Sequence, residues 1–354
     1  MTQNTGRKLN IILAYSSYLL SGSLIFSPLH KSENIIISVL SGFLVGFLAL
    51  IIIMSVYKQQ KHESINRSFP SAVISLTSAI LSCAASLMLI TEVIKDTAYI
   101  SNRGISLFYY IFLSLAILSV SIYLCLSHEK GIYRFCILAF LAFLFLYVIS
   151  FFGFSTTKSF VFDMDFSQKD MILSSALRGS LTGIFFAADT SVFIYCFKKH
   201  LTKHNGKLDS NALTIAYCLS FFMIGTYNLS TCFIFGSELT NSISDPDYAL
   251  VKLLPGIDFT ETISFLRIVS FLIKSSVYIY GSSLLIKKAL YSTYKSTNLP
   301  IYIQYLLIPA TVISLIIADK SLGYGAFQNL IYPCVILLSL LFITIFSFFQ
   351  KKGS

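Results

Sequence analysis

Charged residues are scarce in this chain, at 12% of its 354 residues. Water-soluble domains carry about a quarter of their residues as charges, so this fraction excludes an ordinary soluble fold. Acidic residues are fewer than basic ones: 16 Asp and Glu against 26 Lys and Arg give a net charge of +10. The basic surplus lies in short loops between apolar stretches rather than in one patch, and nucleic-acid binding is therefore not expected.

Familiar signatures of chemistry are also missing. The seven cysteines lie within or beside apolar stretches without any Cys-x-x-Cys pair, so we interpret them as small packing residues. No P-loop, GxSxG, HExxH or kinase signature occurs. His200 and His204 have helical spacing, but lysines surround them and no acidic ligand is near. The sequence predicts neither an enzyme nor a metal site, and no cofactor.

Long apolar runs fill the chain, and 55% of its residues are apolar. A helix of about 20 apolar residues crosses the hydrocarbon core of a bilayer, which is roughly 30 Å thick. The sequence therefore predicts an all-α integral membrane protein, one polytopic domain over residues 1–354 with about ten transmembrane helices. The predicted spans are residues 10–28, 35–57, 70–95, 105–126, 132–153, 174–199, 212–236, 263–287, 301–318 and 327–349.

The distribution of Lys and Arg predicts the orientation in the membrane. Most of the 26 lie in alternate loops, on the side that also carries both chain ends if the spans number ten. Because cytoplasmic loops are enriched in Lys and Arg, we expect a multi-pass cell-membrane protein with both termini in the cytoplasm. Residues 1–153 and 174–349 then hold five spans each, which permits two halves related as an inverted repeat.

The sixth predicted span combines the length of a membrane helix with unusual polarity. Charges inside a membrane are costly and usually mark a pathway or a binding site. Arg178 and Asp189 are close to three turns apart, so an unbroken helix holds them on one face with Thr182 between them. Gly179 and Gly183 permit the helix to break beside a cavity. Close helix packing is the alternative role for such glycines.

The first predicted span ends in Ser21, Gly22 and Ser23, followed by Pro28. This composition permits the helix to unwind around Gly22, where freed amides and carbonyls could coordinate the carboxylate and ammonium of a ligand. Small residues that allow close packing are again the alternative. Interrupted helices at two matching positions, the first and the sixth, indicate a transporter-type ligand site.

The eighth predicted span carries Lys274 near its middle, where the ammonium cannot easily reach water along its own side chain. Arg267, Ser270, Tyr278 and Gly281 share one helical stripe with it. The polar positions of the first, sixth and eighth spans are expected to converge on one hollow at mid-membrane depth.

Two ion pairs could account for the intramembrane charges, and the sequence does not choose between them. Asp189 and Lys274 lie about 22 and 16 Å from the outer ends of their spans at the helical rise, so they could pair. Glu92 and Arg178 also share a similar depth and could pair instead. As a further alternative, the ammonium of Lys274 could stand where a transporter of related design binds a coupling cation.

Three local patterns carry a resemblance to a known family. They are GSLIFSP (22–28), HEKGIYRF (128–135), and residues 234–280 with a Phe-Gly pair, a later proline and a lysine inside the span. In these patterns, and in its size and ten spans, the chain resembles the spore germination permeases. These are the integral-membrane B subunits of GerA-type germinant receptors, in the amino acid–polyamine–organocation superfamily.

The resemblance implies a broken-helix fold of five-plus-five inverted repeats, with the first and sixth helices lining the site. It implies a membrane subunit of a germinant receptor that senses a small germinant, such as an amino acid, in the inner membrane of a spore. It also implies two partners, a larger membrane subunit and a lipoprotein subunit.

The leading hypothesis is that ligand binding shifts a conformational equilibrium which the partner subunits read. The alternatives are an ion-coupled secondary transporter of amino acids or related amines, and a membrane scaffold of the same fold that binds no ligand. The candidate ligand-binding residues are Ser21, Gly22, Ser23, Gly179, Thr182, Gly183, Asp189, Lys274 and Tyr278. The candidates for ion pairing or coupling are Glu92, Arg178, Asp189 and Lys274.

Overall fold

The computed structural model describes residues 3–25, 34–59, 116, 119–156, 169–202, 208–236 and 260–293. These residues form six long helices and a shorter helical segment, residues 119–126. The helices are α1 (Gln3–Ile25), α2 (Ile35–Gln59), α3 (His128–Thr156), α4 (Lys169–Leu201), α5 (Ser210–Phe235) and α6 (Thr260–Thr293). Within the described residues the only β-type pairing is an isolated bridge between Thr202 and Leu208.

The all-α prediction is confirmed for these residues. The six helices correspond to the first, second, fifth, sixth, seventh and eighth predicted spans, and residues 119–126 to the end of the fourth. The third, ninth and tenth predicted spans lie outside the described residues. The total of ten helices and the inverted repeat therefore stay predictions.

Three of the described helices are long and apolar enough to cross a membrane. The qualifying segments are Ile35–Ser55 in α2, Met171–Leu201 in α4 and Ser210–Phe235 in α5. Each exceeds the roughly 20 residues that a bilayer requires. Length and composition thus give this protein the helices of a membrane protein.

The side chains of α2 are distributed as lipid requires. Leu40, Leu44 and Leu48, one turn apart, are 56%, 59% and 61% exposed. Ser38 lies on the other side of the helix and is fully buried. A helix in water would direct its polar side outward and its leucines inward. The observed arrangement, with leucines outward and small or polar residues inward, is that of a helix in a bilayer.

Capping interactions explain the residues at which α5, the seventh predicted span, begins and ends. Asp209 caps the start, and its carboxylate accepts a hydrogen bond from the backbone N–H of Ala212 at 3.5 Å. At the other end the chain leaves the helix at Gly236, where φ is 78°. The Gly236 N–H donates to the carbonyl of Cys232 at 2.7 Å, and glycine adopts this positive φ without strain.

The chain divides into two compact units that alternate along the sequence. The first unit comprises residues 1–49, 133–186 and 209–273, and the second comprises residues 50–132, 187–208 and 274–354. Four helices, α2, α3, α4 and α6, contribute residues to both. These units differ from the predicted halves, residues 1–153 and 174–349. A division into compact units does not test an inverted repeat, so the two halves stay a prediction.

In the first unit, α1 packs along α5 around aromatic side chains. The hydroxyl of Ser16 donates to the carbonyl of Ala216 at 3.3 Å. The rings of Tyr217 and Phe221 are 5.1 Å apart, and Phe186 meets Phe221 edge-on at 5.7 Å. Such ring pairs add stability beyond the area that they bury.

Also in the first unit, α2 and α4 cross with their backbones in contact. A Cβ atom added at Gly42 would lie 2.8 Å from the carbonyl oxygen of Gly179, and one at Gly46 would lie 2.7 Å from that of Gly183. Side chains added at Gly179 and Gly183 would in turn strike the α2 backbone at Ser38 and Gly42. Only glycine fits at this crossing, which is the close-packing role of glycine in membrane helices.

The first and sixth spans do not break at the predicted glycines. The helix α1 continues through Gly22 and Ser23 to Ile25. The helix α4 continues through Gly179 and Gly183, and its non-helical backbone lies instead at Phe197 (φ −112°, ψ 22°). In lipid an unwound segment must find new partners for its backbone groups. The α4 glycines have another use, the contact with α2, that leaves the helical hydrogen bonds intact.

Candidate functional site

A buried carboxylate, ammonium and phenol meet in the second unit. The helix α4 supplies Asp189, and α6 supplies Lys274 and Tyr278 one turn apart. The ammonium Nζ of Lys274 contacts Oδ2 of Asp189, and the Tyr278 hydroxyl donates to Oδ1 at 2.7 Å. Residues four apart lie on the same helix face, so both donors reach one carboxylate. We call these three residues the acid–base cluster.

The acid–base cluster is completely buried. All three side chains have 0% exposure. Removing two charges from solvent carries a large penalty, which is offset only when the charges pair closely and their remaining hydrogen-bonding capacity is used. Here both carboxylate oxygens have donors, and the formal charges of Asp189 and Lys274 cancel. The geometry explains how two charges are tolerated in an apolar bundle.

A glycine brings α6 close to α4 beside the acid–base cluster. A Cβ atom at Gly281 would lie 3.0 Å from Sγ of Cys196 and 3.2 Å from a methyl of Val192. The thiol of Cys196 also donates a weak hydrogen bond to the carbonyl of Val277 at 3.6 Å. The absence of a side chain at Gly281 thus lets the two backbones approach within reach of Asp189 and Lys274.

Small polar groups surround the same part of α6. The hydroxyls of Ser121 and Ser275 are 2.6 Å apart, and the thiol of Cys125 donates to the carbonyl of Ser276 at 3.3 Å. Sequence reasoning missed these contacts. The partners are 154 and 151 residues apart in the chain, and no local pattern links them. Cysteines that the sequence suggested were apolar filler act here as weak hydrogen-bond donors.

The predicted stripe on the eighth span is a buried face of α6. Arg267 is 7% exposed, and Ser270, Lys274 and Tyr278 are fully buried. The hydroxyl of Ser270 donates to the carbonyl of Leu266 at 2.8 Å. Residues 273–279 are buried on every side of α6, so burial alone does not distinguish this stripe from the other faces of the helix.

Two polar candidates of the first unit, Ser21 and Thr182, form hydrogen bonds within their own helices. The hydroxyl of Ser21 donates to the carbonyl of Tyr18 at 2.7 Å, and that of Thr182 to the carbonyl of Arg178 at 3.0 Å. Gly179 and Gly183 meet the α2 backbone, as described above. A role of Ser21, Gly22, Ser23, Gly179, Thr182 and Gly183 in ligand binding stays a prediction.

Arg178 does not share the environment of Asp189. Its side chain is exposed, whereas Thr182 and Asp189 are 2% and 0% exposed. The sequence placed Arg178, Thr182 and Asp189 on one helix face, but the burial of Arg178 differs from that of the other two. Helical spacing determines the direction in which a side chain leaves the helix. It does not determine whether another helix packs over that side chain, so two residues on one face can differ in exposure. Glu92 lies outside the described residues, so the Glu92–Arg178 pair stays a prediction.

The candidate ligand-binding residues are divided between the two units. Ser21, Gly22, Ser23, Gly179, Thr182 and Gly183 belong to the first unit, and Asp189, Lys274 and Tyr278 to the second. A single hollow lined by all three spans thus stays a prediction. No group of three or more His, Cys, Asp or Glu side chains suited to a metal ion occurs within the described ranges.

Comparison with known proteins gives structural likeness only. Among solved structures, the chain is similar to two mutants of the manganese transporter of Eremococcus coleocola, at 10% and 12% identity with TM-scores of 0.45 and 0.47. It is also similar, at 12% identity and a TM-score of 0.41, to that transporter in complex with an aromatic bis-isothiourea substituted compound. Each match covers 96% of this chain and 75% of the transporter chain. No protein-family model and no curated protein matches the chain.

Proposed function

We propose that this protein is a multi-spanning membrane protein that binds a small zwitterion, such as an amino acid, at Asp189, Lys274 and Tyr278. The observation that carries the proposal is the fully buried pair of opposite charges within apolar helices. Intramembrane ionisable residues are rare and usually functional, and a scaffold alone is served as well by apolar side chains of similar volume.

The charge balance of the acid–base cluster selects the class of ligand. One carboxylate and one ammonium sum to zero net charge. A cationic amine or a simple carboxylate would leave one uncompensated charge in the bilayer, whereas a zwitterion adds none. Its ammonium can replace Lys274 at Asp189 while its carboxylate takes Lys274. Binding therefore requires the direct contact between Lys274 and Asp189 to open.

The resemblance to the spore germination permeases supplies the proposed biological role. On this proposal the chain is the membrane subunit of a germinant receptor in the spore inner membrane, with a larger membrane subunit and a lipoprotein subunit as partners. Replacing the internal ion pair by a ligand changes the contacts between α4 and α6. That change is the differential interaction that a conformational signal needs.

Binding of matched small molecules to the purified chain in detergent tests the proposal. Alanine, ethylamine and propionate share a size but differ in charge, and each is titrated while the unfolding temperature is followed. We expect one or more zwitterions from an amino-acid panel to raise the unfolding temperature, with no effect of the corresponding amine or carboxylate. The proposal is contradicted if no zwitterion raises the unfolding temperature, or if only amines raise it.

Two variants locate the binding at the acid–base cluster. Lys274→Ala should abolish the response to the active zwitterion, and Lys199→Ala is the matched control because Lys199 is 84% exposed. If Lys274→Ala does not fold, Tyr278→Phe keeps the charge pair and removes one donor to Asp189. Its affinity for the zwitterion should be weaker by about tenfold, as expected for a lost hydrogen bond to a charged group. Unchanged affinity in the variants removes the cluster from the site.

A secondary transporter is the second candidate, and the same charge pair favours it. A coupling ion or proton can compete for Asp189 or Lys274 just as a zwitterion can. Uptake of the active zwitterion into vesicles containing only this chain separates the two roles. Concentrative uptake driven by an ion gradient indicates a transporter, and binding without uptake indicates a receptor subunit. If the chain neither binds nor takes up any zwitterion, the remaining hypothesis is a membrane scaffold that binds no ligand.

A further inference from the structure

The buried start of α2, in the first unit, collects polar groups that neither the acid–base cluster nor the proposed ligand site uses. Asn34 caps this helix: its Oδ1 accepts from the N–H of Ile37 at 3.2 Å, and its carbonyl accepts from the N–H of Ser38 at 3.1 Å. Its own N–H donates to the hydroxyl oxygen of Ser175 on α4 at 2.9 Å. This end of α2 is therefore held against α4.

Two polar atoms at this helix start have no hydrogen-bond partner within the described part of the chain. They are Nδ2 of Asn34 and Oγ of Ser38. Asn34 is 4% exposed and Ser38 is fully buried, so water does not cover them. The amide orientation is fixed, because the atom facing the Ile37 N–H must be an acceptor. Buried polar groups are nearly always bonded, so two unpartnered atoms one turn apart require an explanation, and a bound ion is one.

The side chains at this helix start can donate hydrogen bonds. Asn34 and Ser38 are one turn apart, since the N–H of Ser38 donates to the carbonyl of Asn34. Ser175 accepts from Asn34 through its oxygen, and a hydroxyl that accepts one hydrogen bond still has a proton to donate. The first-turn N–H groups of a helix lack intrahelical acceptors and carry its positive dipole end. Lys31 and Glu33, which precede this helix in the sequence and lie outside the described residues, cancel in formal charge.

We propose that the start of α2 binds a small monovalent anion, a halide or a carboxylate group, through Asn34, Ser38 and Ser175. Helix N-termini bind such anions through backbone N–H groups and the dipole. The α2 anion site differs from an ordinary helix start because buried side-chain donors, which water cannot satisfy, add to the backbone. All of its residues belong to the first unit.

Unfolding temperatures of the full chain in detergent, measured in different sodium salts at equal ionic strength, test the proposal. Tyrosine fluorescence reports unfolding, since the chain has 21 Tyr and no Trp. Gluconate, a much larger anion than chloride or acetate, is the reference. Saturating chloride or acetate should raise the midpoint by about 2 °C over gluconate. A response to chloride alone identifies a halide site, and a response to acetate alone identifies a carboxylate site. Equal midpoints in all three salts overturn the proposal.

Matched variants assign the effect to this site. Asn34→Asp keeps the capping oxygen but replaces the Nδ2 donor by a second carboxylate oxygen, so the anion response should vanish while the helix start stays capped. Ser38→Ala should reduce the response. Ser220→Ala is the control, because Ser220 is equally buried but its hydroxyl already donates to Ala216 at 2.7 Å. A response that persists in Asn34→Asp and Ser38→Ala, or that is lost in Ser220→Ala, contradicts the proposal. These titrations contain no amino acid, so their outcome is independent of the proposed function.

Discussion

The carboxylate of Asp189 is held by two donors from one face of α6, so each of the three side chains depends on the other two. Lys274 and Tyr278 occupy both carboxylate oxygens, and no exposed surface is left on any of the three. In water a lost partner is replaced by solvent. Here it is not, and the energetic consequence of a single substitution is correspondingly large.

Removing the ammonium should destabilise the protein strongly. Lys274→Ala leaves the Asp189 carboxylate buried without its countercharge, and we expect a loss of about 3–5 kcal/mol. Lys199→Ala, at a side chain that is 84% exposed, should change stability by less than about 0.5 kcal/mol. Unfolding in detergent with increasing denaturant measures both. Similar values for the two variants would contradict the buried pairing.

Removing both charges should restore much of the loss. In the double variant Asp189→Asn with Lys274→Met, neither residue carries a charge, so the double variant should be more stable than either single one. A double-mutant cycle with the same denaturant unfolding gives the coupling energy. Additive effects would mean that the two side chains do not interact in the folded protein.

The sequence predicted the Asp189–Lys274 pair as one of two possibilities, but it could not decide between them. Charges in apolar helices need partners, and depth arguments left Asp189–Lys274 and Glu92–Arg178 equally open. The depth of Arg178 could be estimated from its position in the span, but its exposure depends on which helices pack around it. Tyr278 was found through its place on the Lys274 stripe. The hydroxyl of Ser121 and the thiol of Cys125 carry no local signal, because their partners on α6 are distant in the chain.

At the scale of helices, glycine decides where two backbones can touch. The α2–α4 crossing in the first unit uses Gly42, Gly46, Gly179 and Gly183, and Gly281 serves α6 against α4 in the second unit. Without a strong hydrophobic driving force in lipid, such close contacts supply much of the attraction between helices. Gly179 and Gly183, which indicated a break in the sixth span, are therefore contact positions in an unbroken part of α4.

A single methyl group at the α2–α4 crossing should be harmful. Gly183→Ala places Cβ against the backbone of Gly42, which cannot rearrange as a side chain can, and we expect a loss of about 1–3 kcal/mol. Gly6→Ala is the control, since nothing lies within 4 Å of an added Cβ there. Alanine favours helix over glycine by up to about 1 kcal/mol, so Gly6→Ala should be neutral or stabilising. Denaturant unfolding in detergent compares them.

The exposed leucine face of α2 should not accept charge. Leu44→Lys would direct an ammonium from mid-helix into lipid, at a cost of about 2.5–3.5 kcal/mol for insertion. Leu44→Ala keeps the face apolar and serves as the control. The amount of each variant in the membrane fraction measures insertion. Normal insertion of Leu44→Lys would show that this face does not meet lipid.

Hydropathy located the described helices well, but it could not resolve their internal geometry. The end of α5 at Gly236 follows from a glycine that takes a positive φ, and its start follows from Asp209 as a cap. Ser21, Gly22 and Ser23 admitted both an unwound segment and a packed helix. Composition cannot distinguish these outcomes, because the small residues that allow unwinding also allow close packing.

For the whole molecule, the loop charges predict both termini in the cytoplasm. A fluorescent protein that matures only in the cytoplasm, fused after Ser354, should be bright. Alkaline phosphatase, which is active only outside the cytoplasm, should be inactive at the same position. The opposite pair of results would reverse the orientation, and with it the assignment of the basic loops.

The pairing of Asp189 with Lys274 has a consequence for biosynthesis. The two residues are 85 positions apart, so α4 emerges from the ribosome long before its countercharge on α6 has been made. During that interval the Asp189 carboxylate has no countercharge from α6, and burying it in the bilayer is costly. We therefore expect a chain that stops before Lys274 to be much less stable than the full chain.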